Sequence, residues 1–489
     1  MNREIRRIAL VVTAMLLSLM VASSMIQFSP GEPLRAHPKN ERTYLNSLDR
    51  QRGPIIALGG DVLARSDKID DDYSYQRVYV GGELYAPITG YIAVTQQVAT
   101  TGLELLENEV LTGTADSLFW TRVEDVLTGR KPTGGAVEVT IDPAVQQAAW
   151  DALGASQGAA VALDVKTGEI MAMVSKPTFD PNALAAHDPE AALAAFTALE
   201  ADPAHPLYNR VIGGDLYAPG STFKLITAAA ALESGQFKAD SLLEAPDALE
   251  LPNTNVTLPN FGDSSCAASG QMTLAEAMVV SCNTAFGWLG MELGPHLIAD
   301  QADKFGFDQE GLQIPLYVTK SVFPRDMDQA QTAQAAIGQF NDRVTPLQMA
   351  MVAAAVAGGG RMMKPHLVRS ERDADLRVVD EAVAEELDRP ISTATAAALK
   401  DMMVQVVESD QGTGRRARVE GVAVGAKTGT AETLKGQPPD VWTVAFGEAQ
   451  GRSVAVAVVV EDGGSMGLDG TGGKVAAPMV ASILAAVFR

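Results

Sequence analysis

The sequence is poor in the residues that build metal centres and cysteine-based catalytic sites. Its 489 residues include only two cysteines and five histidines, and no histidine stands close to either cysteine in the sequence. The spacings that hold zinc are missing, and neither cysteine has the neighbours expected of a nucleophile. We therefore expect neither a metal nor a cofactor, and the chemistry must come from other side chains.

Basic residues are scarce relative to acidic ones. Lys and Arg number 38 against 60 Asp and Glu, which gives a formal net charge of -22. Binding to a phosphate backbone needs a basic surface, so this charge argues against a nucleic-acid partner. It identifies no other partner, because an acidic solvated surface is the ordinary explanation.

Long uncharged hydrophobic runs are absent except near the N-terminus. Ile8 to Phe28 forms such a run, and Arg3, Arg6 and Arg7 precede it. About twenty apolar residues can span a bilayer, and upstream arginines favour a cytoplasmic N-terminus. We expect a retained, single-pass anchor in the cell membrane; the alternative is a cleaved signal peptide. Both interpretations place the remaining chain outside the cytoplasm.

The two cysteines, Cys266 and Cys282, fall in this exported part. An oxidising exterior permits a disulfide, and the chain-entropy contribution of such a loop is about 3 kcal/mol. Two free thiols are the alternative. Because Cys282 stands between Ser281 and Asn283, a bridge would stiffen that short segment.

Length and pattern divide the chain into three parts, because 489 residues exceed a usual single domain. We predict an anchor over residues 1–28, a pedestal domain over 29–135 that ends in a linker at Lys131–Gly135, and a third domain over 136–489. The pedestal sequence gathers no nucleophile, base or metal ligands. We therefore expect it to be non-catalytic.

The third part mixes helices with antiparallel strands. Asp142-Pro143 and Thr345-Pro346 are typical helix starts, and the short loops between the last strands indicate a meander. This pattern predicts an α+β fold in which helices cover one central antiparallel sheet. Helices are predicted at 144–153, 222–232, 274–280, 345–357, 393–408 and 478–488, and strands at 137–140, 159–163, 169–174, 422–430, 441–446 and 454–460.

Three short motifs in this part combine a hydroxyl nucleophile with amines. In chain order they are Ser221-Thr-Phe-Lys224, Ser281-Cys-Asn283 and Lys427-Thr-Gly429. A second Lys-Thr-Gly begins at Lys166, but it falls in a predicted hairpin turn, where glycine and exposed lysine are ordinary. Each motif alone is weak evidence, because S-x-N usually marks a helix cap or turn.

Together the motifs supply what a serine nucleophile needs. On a helix, Ser221 and Lys224 lie one turn apart on one face, and a neutral lysine can accept the serine proton. Burial and a second cation both lower the pKa of a lysine, and Lys427 is the candidate cation. At a helix N-terminus, the Ser221 backbone N–H can face a developing oxyanion.

The remaining motif residues suit a bound substrate. Ser281 can relay a proton between the leaving group and Lys224 or Lys427. The Asn283 amide can both donate to a substrate carbonyl and accept from Lys224. The hydroxyls of Thr428 and Thr430 suit a carboxylate, and the Thr430 N–H is a candidate second oxyanion donor. Gly429 would let a ligand backbone approach the strand edge.

The trio, in this order, resembles the penicillin-recognising serine enzymes, which include penicillin-binding proteins and serine β-lactamases. The similarity to penicillin-binding-protein transpeptidase domains runs from about residue 137 to the C-terminus. It includes Thr140-Ile-Asp, Ala162-Leu-Asp-Val-Lys-Thr-Gly-Glu-Ile-Met-Ala-Met-Val, Tyr217-Ala-Pro-Gly, Ile337-Gly-Gln and Val344-Thr-Pro-Leu-Gln-Met. The fold implied is that of a penicillin-binding transpeptidase domain.

The resemblance also implies an activity and its residues. A stem peptide ending in D-Ala-D-Ala would acylate the serine, an amine of a neighbouring stem would resolve the acyl-enzyme, and β-lactams would acylate the same serine. The implied catalytic residues are Ser221, Lys224, Ser281, Asn283 and Lys427, and the implied substrate-binding residues are Thr428, Gly429 and Thr430.

The layout most resembles the short class B proteins of the penicillin-binding protein A type, which are linked to cell division. The predicted pedestal looks too short for the glycosyltransferase domain of bifunctional class A proteins. Class B membership implies a separate polytopic membrane glycosyltransferase and division proteins as partners.

Two alternatives stay open. A D,D-carboxypeptidase or β-lactam sensor would carry the same motifs, and a non-catalytic, membrane-anchored scaffold of the wall-synthesis complex belongs to a different class. A class A β-lactamase is disfavoured, because those enzymes deacylate through a glutamate in E-x-x-x-N. The only asparagine between Asn283 and Lys427 is Asn341, and Ile337 stands four residues before it.

Overall fold

A computed structural model describes residues 2–28, 50–71, 73–95, 97–128, 133–432 and 436–489. Its first helix is α1 (Asn2–Phe28), in which Ile5–Ser24 has a mean hydropathy of 2.0 and is nowhere buried. Among the described residues, α1 is the one helix long and apolar enough to cross a membrane. Residues 29–49 of the predicted pedestal, and Lys131 and Pro132 of the predicted linker, lie outside the described residues.

The strands are short in the first half of the chain and longest near its end. In chain order they are β1 (Ile55–Ile56), β2 (Val62–Lys68), β3 (Tyr75–Tyr79), β4 (Ala136–Val139), β5 (Gly158–Asp164), β6 (Ile170–Lys176), β7 (Leu242–Glu244), β8 (Ala248–Glu250), β9 (Thr257–Pro259), β10 (Gln271–Thr273), β11 (Met362–Met363), β12 (Val368–Arg372), β13 (Val378–Glu381), β14 (Glu386–Asp388), β15 (Ala423–Ala431), β16 (Asp440–Ala449) and β17 (Arg452–Val460).

The helices after α1 are, in chain order, α2 (Ala86–Thr89), α3 (Gly102–Leu106), α4 (Asn108–Leu111), α5 (Phe119–Thr128), α6 (Pro143–Leu153), α7 (Pro181–Leu184), α8 (Pro189–Glu200), α9 (Lys224–Glu233), α10 (Leu274–Val280), α11 (Asn283–Lys304), α12 (Gln329–Ala335), α13 (Pro346–Ala357), α14 (Thr393–Glu408) and α15 (Ala476–Val487). Short 3₁₀ turns join several of them, including Gly220–Phe223 directly before α9.

Local capping chemistry fixes several of these helices where the sequence predicts them. The Asp142 carboxylate accepts from the backbone N–H groups of Ala144 and Val145, with proline at the first helical position of α6. Thr345 caps α13 through the N–H of Gln348 in the same way. The predicted bounds of α6, α10, α13 and α14 are confirmed to within about one residue.

The predicted central sheet is present as five antiparallel strands in the order β15-β16-β17-β5-β6. In β17, Val456 and Val458 pack with α6 and α15 on one face, whereas Ala457 and Val459 pack with α13 on the other. Successive side chains of a strand point to opposite faces, so a continuously apolar strand needs cover on both. The predicted α+β architecture is confirmed.

The second large sheet crosses the predicted boundary between pedestal and third domain. Its order is β13-β12-β4-β1-β2-β3, and β1 pairs parallel to β4 while the other pairs are antiparallel. β4, β12 and β13 all come from beyond residue 135. The pedestal strands therefore complete their sheet with strands from the third domain, and position 135/136 does not separate two independent sheets.

The described end of the predicted linker is packed rather than free. Gly134 and Gly135 run so close to Gly53 and to the Leu111 carbonyl that a Cβ on Gly53 or Gly134 would collide with backbone atoms. Gly135 donates its N–H to the Val110 carbonyl at 2.9 Å. These glycines serve close backbone approach, because a side chain would not fit at this contact.

The pedestal buries an ion cluster next to this glycine contact. The Glu104 carboxylate lies 2.8 Å from the Arg52 guanidinium and 2.5 Å from that of Arg77, and all three side chains are at most 3% exposed. Burial alone would raise the pKa of Glu104, but the two arginines outweigh it and hold that pKa below its ordinary value. The cluster is therefore charged and compensated.

Candidate active site

The first motif joins two helices of different pitch. Ser221 lies in the 3₁₀ turn Gly220–Phe223, and Lys224 is the first residue of α9. The prediction of one regular helix through the motif is wrong in this detail. Gly220, at φ +52°, packs directly against Gly338, to whose carbonyl it donates at 2.9 Å, and this contact tightens the turn. Because residues i and i+3 eclipse in a 3₁₀ helix, Ser221 and Lys224 still share a face.

Lys224 is fully buried and is held by the second motif. Its Nζ donates to the Asn283 Oδ1 at 2.8 Å, to the Ser281 carbonyl at 2.8 Å and to the Ser281 Oγ at 3.4 Å. Burial is the main cause, and repulsion from Lys427 the second, of a pKa far below the ordinary lysine value. Both effects favour the neutral amine, which is the form that can accept a proton.

Lys427 reaches the same hydroxyl from the other side. Its Nζ donates to the Ser281 Oγ at 2.7 Å and to the Thr428 carbonyl at 2.8 Å, and burial lowers its pKa to about 7. Within the described residues, neither Lys427 nor Lys224 forms an ion pair with a carboxylate. The Ser281 hydroxyl therefore lies between two buried amines, an arrangement that can pass a proton.

The second motif follows a tight chain reversal. Ser281 ends α10 in the left-handed region, at φ 60°, and α11 begins two residues later at Asn283. The Asn260 Oδ1, 23 residues upstream of Asn283, accepts from the backbone N–H groups of Asn283 and Thr284 at 3.0 and 3.1 Å and so caps α11. Asn260 was not predicted from the sequence, because no local pattern links it to α11.

Two further contacts fix the Asn283 segment. The Asn283 Nδ2 donates to the Pro259 carbonyl at 3.1 Å, which orients its Oδ1 towards Lys224. A disulfide joins Cys266 to Cys282, with the Cα atoms 5.9 Å apart. The segment 259–266 therefore holds the second motif in place through the Pro259 carbonyl, the Asn260 side-chain amide and the disulfide of Cys266.

The third motif lies on β15, the edge strand of the central sheet, beside the 3₁₀ turn. A Cβ at Gly429 would lie 3.0 Å from the Thr222 side chain and 3.1 Å from the Pro219 carbonyl. Packing against the protein's own turn therefore favours glycine here, whereas the sequence suggested room for a ligand. Gly429 links the first motif to the third.

The hydroxyl of Thr428 is oriented by a second threonine. It donates to the Thr413 Oγ1 at 2.7 Å, and Thr413 comes from the loop between α14 and β15. Thr430, two residues further along the strand, is half-buried. The sequence analysis missed Thr413; its only signal is a glycine on each side.

The second Lys-Thr-Gly lies outside this site. Its glycine, Gly168, has φ +81° in the β5–β6 turn, and the Lys166 Nζ donates to the Gly451 carbonyl in the neighbouring β16–β17 turn. The prediction that this copy is a hairpin turn is confirmed.

Comparison with known families gives two matches. Residues 158–485 match the family described as penicillin binding protein transpeptidase domain, and residues 52–137 match the penicillin binding protein A dimerisation domain. Together the two matches include the central sheet, all three motifs and the second large sheet except the last two residues of β4.

Similar proteins and structures extend over almost the whole chain. Peptidoglycan D,D-transpeptidase PbpA of Mycolicibacterium smegmatis is 42% identical, with 100% of this chain and 99% of the relative covered; the Mycobacterium tuberculosis protein of that name is 40% identical with the same coverage. The ceftriaxone acyl-enzyme of M. tuberculosis penicillin-binding protein A superposes with a TM-score of 0.86 at 40% identity, covering 91% of this chain and 100% of that structure. A crystal structure of the same protein gives a TM-score of 0.85 at 40% identity, covering 90% of this chain and 100% of that structure.

Proposed function

The chain belongs to the penicillin-binding protein transpeptidase family, as a class B member, and we propose that it crosslinks peptidoglycan stem peptides through a Ser221 acyl-enzyme. The donor is a stem peptide that ends in D-Ala-D-Ala, and β-lactams inhibit by acylating the same serine. The observation that carries this proposal is the buried Lys224 amine, held by Asn283 without any carboxylate partner among the described residues.

In the acylation step, the Ser221 hydroxyl gives its proton to neutral Lys224. Its oxygen bonds to the carbonyl carbon of the penultimate D-Ala. The backbone N–H groups of Ser221 and Thr430 receive the oxyanion that develops. The donor carboxylate binds along β15 at Thr428 and Thr430, close to the positive potential of Lys427.

In the departure step, the bond between the carbonyl carbon and the terminal D-Ala nitrogen breaks. The proton taken from Ser221 passes from Lys224 through the Ser281 hydroxyl to that nitrogen, so free D-Ala leaves. Lys427, 2.7 Å from the same hydroxyl, keeps it oriented. A β-lactam follows the same acylation, but its amine stays attached to the acyl group and blocks the acceptor.

In the transfer step, an amine of a neighbouring stem attacks the ester carbon. The ester bond to the Ser221 oxygen breaks, a new amide forms, and the proton released by the amine returns to the serine. Each cycle thus exchanges one amide for another and needs no metal, cofactor or nucleotide.

Acylation of the full-length chain in detergent tests the proposal. Incubation with a fluorescent penicillin, and separately with a D-Ala-D-Ala thioester donor, is followed by mass spectrometry of the peptide that contains Ser221. We expect a stoichiometric adduct on Ser221 with both reagents, none in Ser221→Ala, and a normal adduct in the exposed control Ser264→Ala.

Product analysis separates the alternatives. Donor turnover that yields a crosslinked product when an acceptor amine is present supports the transpeptidase, whereas release of the free acid alone supports a carboxypeptidase. A penicillin adduct without donor turnover indicates a sensor. Folded protein without any adduct on Ser221 would show that the chain is a scaffold and would overturn the proposal.

We further propose a topology and a domain division. α1 is a retained membrane anchor with the N-terminus in the cytoplasm, residues 29–135 are a non-catalytic pedestal, and residues 136–489 form the transpeptidase domain outside the cytoplasm. Partners are a polytopic membrane glycosyltransferase and division proteins. Reporter fusions at each terminus test the topology. If a C-terminal reporter that works only in the cytoplasm is active, the proposed arrangement is contradicted. Crosslinking in cells that express the full chain tests the partners.

A further inference from the structure

Four side chains outside the three motifs form a connection between the first motif and the third. The Tyr217 hydroxyl donates to the Glu461 Oε1 at 2.6 Å, and the Arg210 Nε donates to the same oxygen at 2.9 Å. The Tyr217 ring meets Trp442 edge-to-face, with centroids 5.7 Å apart. We call Arg210, Tyr217, Trp442 and Glu461 the brace.

One end of the brace holds the chain just before the nucleophile. Tyr217 stands four residues before Ser221, and its backbone exchanges two hydrogen bonds with Val344, at 3.1 and 2.8 Å. The Trp442 Nε1 donates to the Ala218 carbonyl at 3.1 Å. The segment that leads into the Gly220–Phe223 turn is therefore held by a ring contact and by hydrogen bonds on two sides.

The other end of the brace lies in the central sheet. Trp442 is fully buried in β16 and pairs directly with Gly429 of the third motif. Glu461 follows the last residue of β17, and its carboxylate also accepts from the Gln157 side chain ahead of β5. The brace thus spans from the strands that support β15 to the segment that carries Ser221.

The distance between these two segments decides whether the oxyanion is held. The proposed donors, the N–H groups of Ser221 and Thr430, belong to segments about 200 residues apart in the sequence. They approach closely, since a Cβ on Gly220 would lie 3.0 Å from the Thr430 carbonyl. Stabilisation of developing charge requires donors fixed to within about half an ångström.

We propose that Tyr217, held by Glu461, is a positioning residue for acylation of Ser221, and that it sets the spacing between the Ser221 turn and β15. This inference rests on the proposed acyl-enzyme function. Neither side chain belongs to the three motifs. Arg210, with a 5% exposed side chain, compensates the Glu461 charge, so the carboxylate can accept the hydrogen bond from the Tyr217 hydroxyl without a large desolvation cost.

The test compares two tyrosine variants of the full chain. Tyr217→Phe removes the hydroxyl but keeps the ring against Trp442. Tyr79→Phe is the matched control, since Tyr79 is 3% exposed against 7% for Tyr217, and its hydroxyl is also hydrogen-bonded, to the Ile92 N–H at 2.7 Å in the pedestal. Stopped-flow acylation by a fluorescent penicillin separates the limiting acylation rate from the concentration at half-saturation.

We expect Tyr217→Phe to lower the limiting acylation rate about tenfold to hundredfold, with the half-saturating concentration changed less than threefold. Tyr79→Phe should lower the melting temperature by a similar amount and leave the acylation rate at the wild-type value. Equal limiting acylation rates in the two variants would overturn the inference. A change in the half-saturating concentration alone would overturn it as well.

A second variant separates the hydrogen bond from the charge. Glu461→Gln keeps an oxygen that can accept from Tyr217 but loses the ion pair with Arg210. In protein that remains folded, we expect its limiting acylation rate to stay within about fivefold of wild type and above that of Tyr217→Phe. A limiting acylation rate lower in Glu461→Gln than in Tyr217→Phe contradicts positioning through the Tyr217 hydroxyl. Absence of a Ser221 adduct in the wild-type chain refutes the proposed function itself, which is a distinct result.

Discussion

The pedestal and the candidate active site each bury two basic side chains away from water. Arg52 and Arg77 are 3% exposed in the pedestal, and Lys224 and Lys427 are 0% exposed in the active site. In the pedestal, the Glu104 carboxylate lies between the two bases. In the active site, the group between them is the neutral Ser281 hydroxyl.

This difference separates a structural cluster from a reactive one. A buried cation beside a buried carboxylate keeps its charge, and arginine cannot be deprotonated in proteins. A buried lysine without a carboxylate lowers its pKa instead, which yields a neutral amine at a cost in stability. Under the proposed function, arginine stands where charge must persist and lysine stands where a proton would move.

Removal of the base from the active-site cluster gives the largest expected effect. Lys224→Met keeps the length and the apolar stem but cannot accept the Ser221 proton. We expect acylation by a fluorescent penicillin to slow by about 10²–10⁴-fold, with the melting temperature unchanged or raised, because a buried amine is lost. Stopped-flow fluorescence measures the rate.

The control for this variant is Lys320→Met, since Lys320 has a 40% exposed side chain and pairs with Glu310 at 3.0 Å. It should acylate at the wild-type rate. If Lys224→Met acylates as fast as Lys320→Met, the active-site cluster has no base at this position and the contrast with the pedestal disappears.

Removal of the charge from the pedestal cluster should change stability and leave chemistry intact. Glu104→Gln leaves two buried guanidinium groups without a counter-charge, which typically costs about 3–5 kcal/mol. Urea unfolding followed by tryptophan fluorescence measures the loss, and the fraction that stays folded should acylate normally.

Glu310→Gln is the matched control, because it removes one carboxylate from an exposed pair and should cost less than about 1 kcal/mol. A Glu104→Gln variant as stable as Glu310→Gln would mean that the pedestal arginines do not depend on their carboxylate.

The two clusters should also respond to pH in different windows. The Lys427 pKa is about 7 in the folded chain and lies near 10.4 in an unfolded one. Between these values the unfolded state binds more protons, so the free energy of unfolding rises with pH, by up to about 1.4 kcal/mol per pH unit. Glu104, with a lowered pKa, stabilises the fold above about pH 4.3 and loses this contribution only in more acidic solution.

Urea unfolding between pH 7.5 and 9.5 checks this contrast. Lys427→Met should flatten the rise of the unfolding free energy with pH relative to wild type, whereas Lys320→Met should keep it. Identical slopes in wild type and Lys427→Met would show that Lys427 is charged in the folded protein throughout this range.

Sequence alone predicts the features that short segments determine. The three motifs, the Asp142 and Thr345 caps and the hairpin turn at Lys166 each depend on residues within a few positions of one another. For the same reason, α10 and α13 have the predicted bounds. The family resemblance added the roles that the motif residues are expected to have.

Features formed by distant segments could not be predicted in this way. Strand β12 pairs with β4 across more than 220 residues, and register between such strands depends on the whole fold. Likewise, Asn260 caps a helix that begins 23 residues later, and Tyr217 reaches Glu461 across 244 residues. Nothing in the local sequence around these residues indicates which distant residue each of them contacts.

The smallest expected effect concerns the geometry of the pedestal arginines rather than their charge. All three guanidinium nitrogens of Arg52 donate hydrogen bonds, to Glu104 and to Asn108. In contrast, the Arg77 Nη2 has no hydrogen-bond acceptor within the described residues. Lysine keeps the charge but offers a single nitrogen. We expect Arg77→Lys to cost about 1 kcal/mol and Arg52→Lys about 2 kcal/mol in urea unfolding, because Arg52 engages three nitrogens and Arg77 engages two, whereas lysine offers one. A larger loss for Arg77→Lys than for Arg52→Lys would contradict this order. Wild-type stability in both variants would mean that charge, and not the planar guanidinium, is what this cluster requires, and lysine would then serve in the pedestal as well as it serves in the active site.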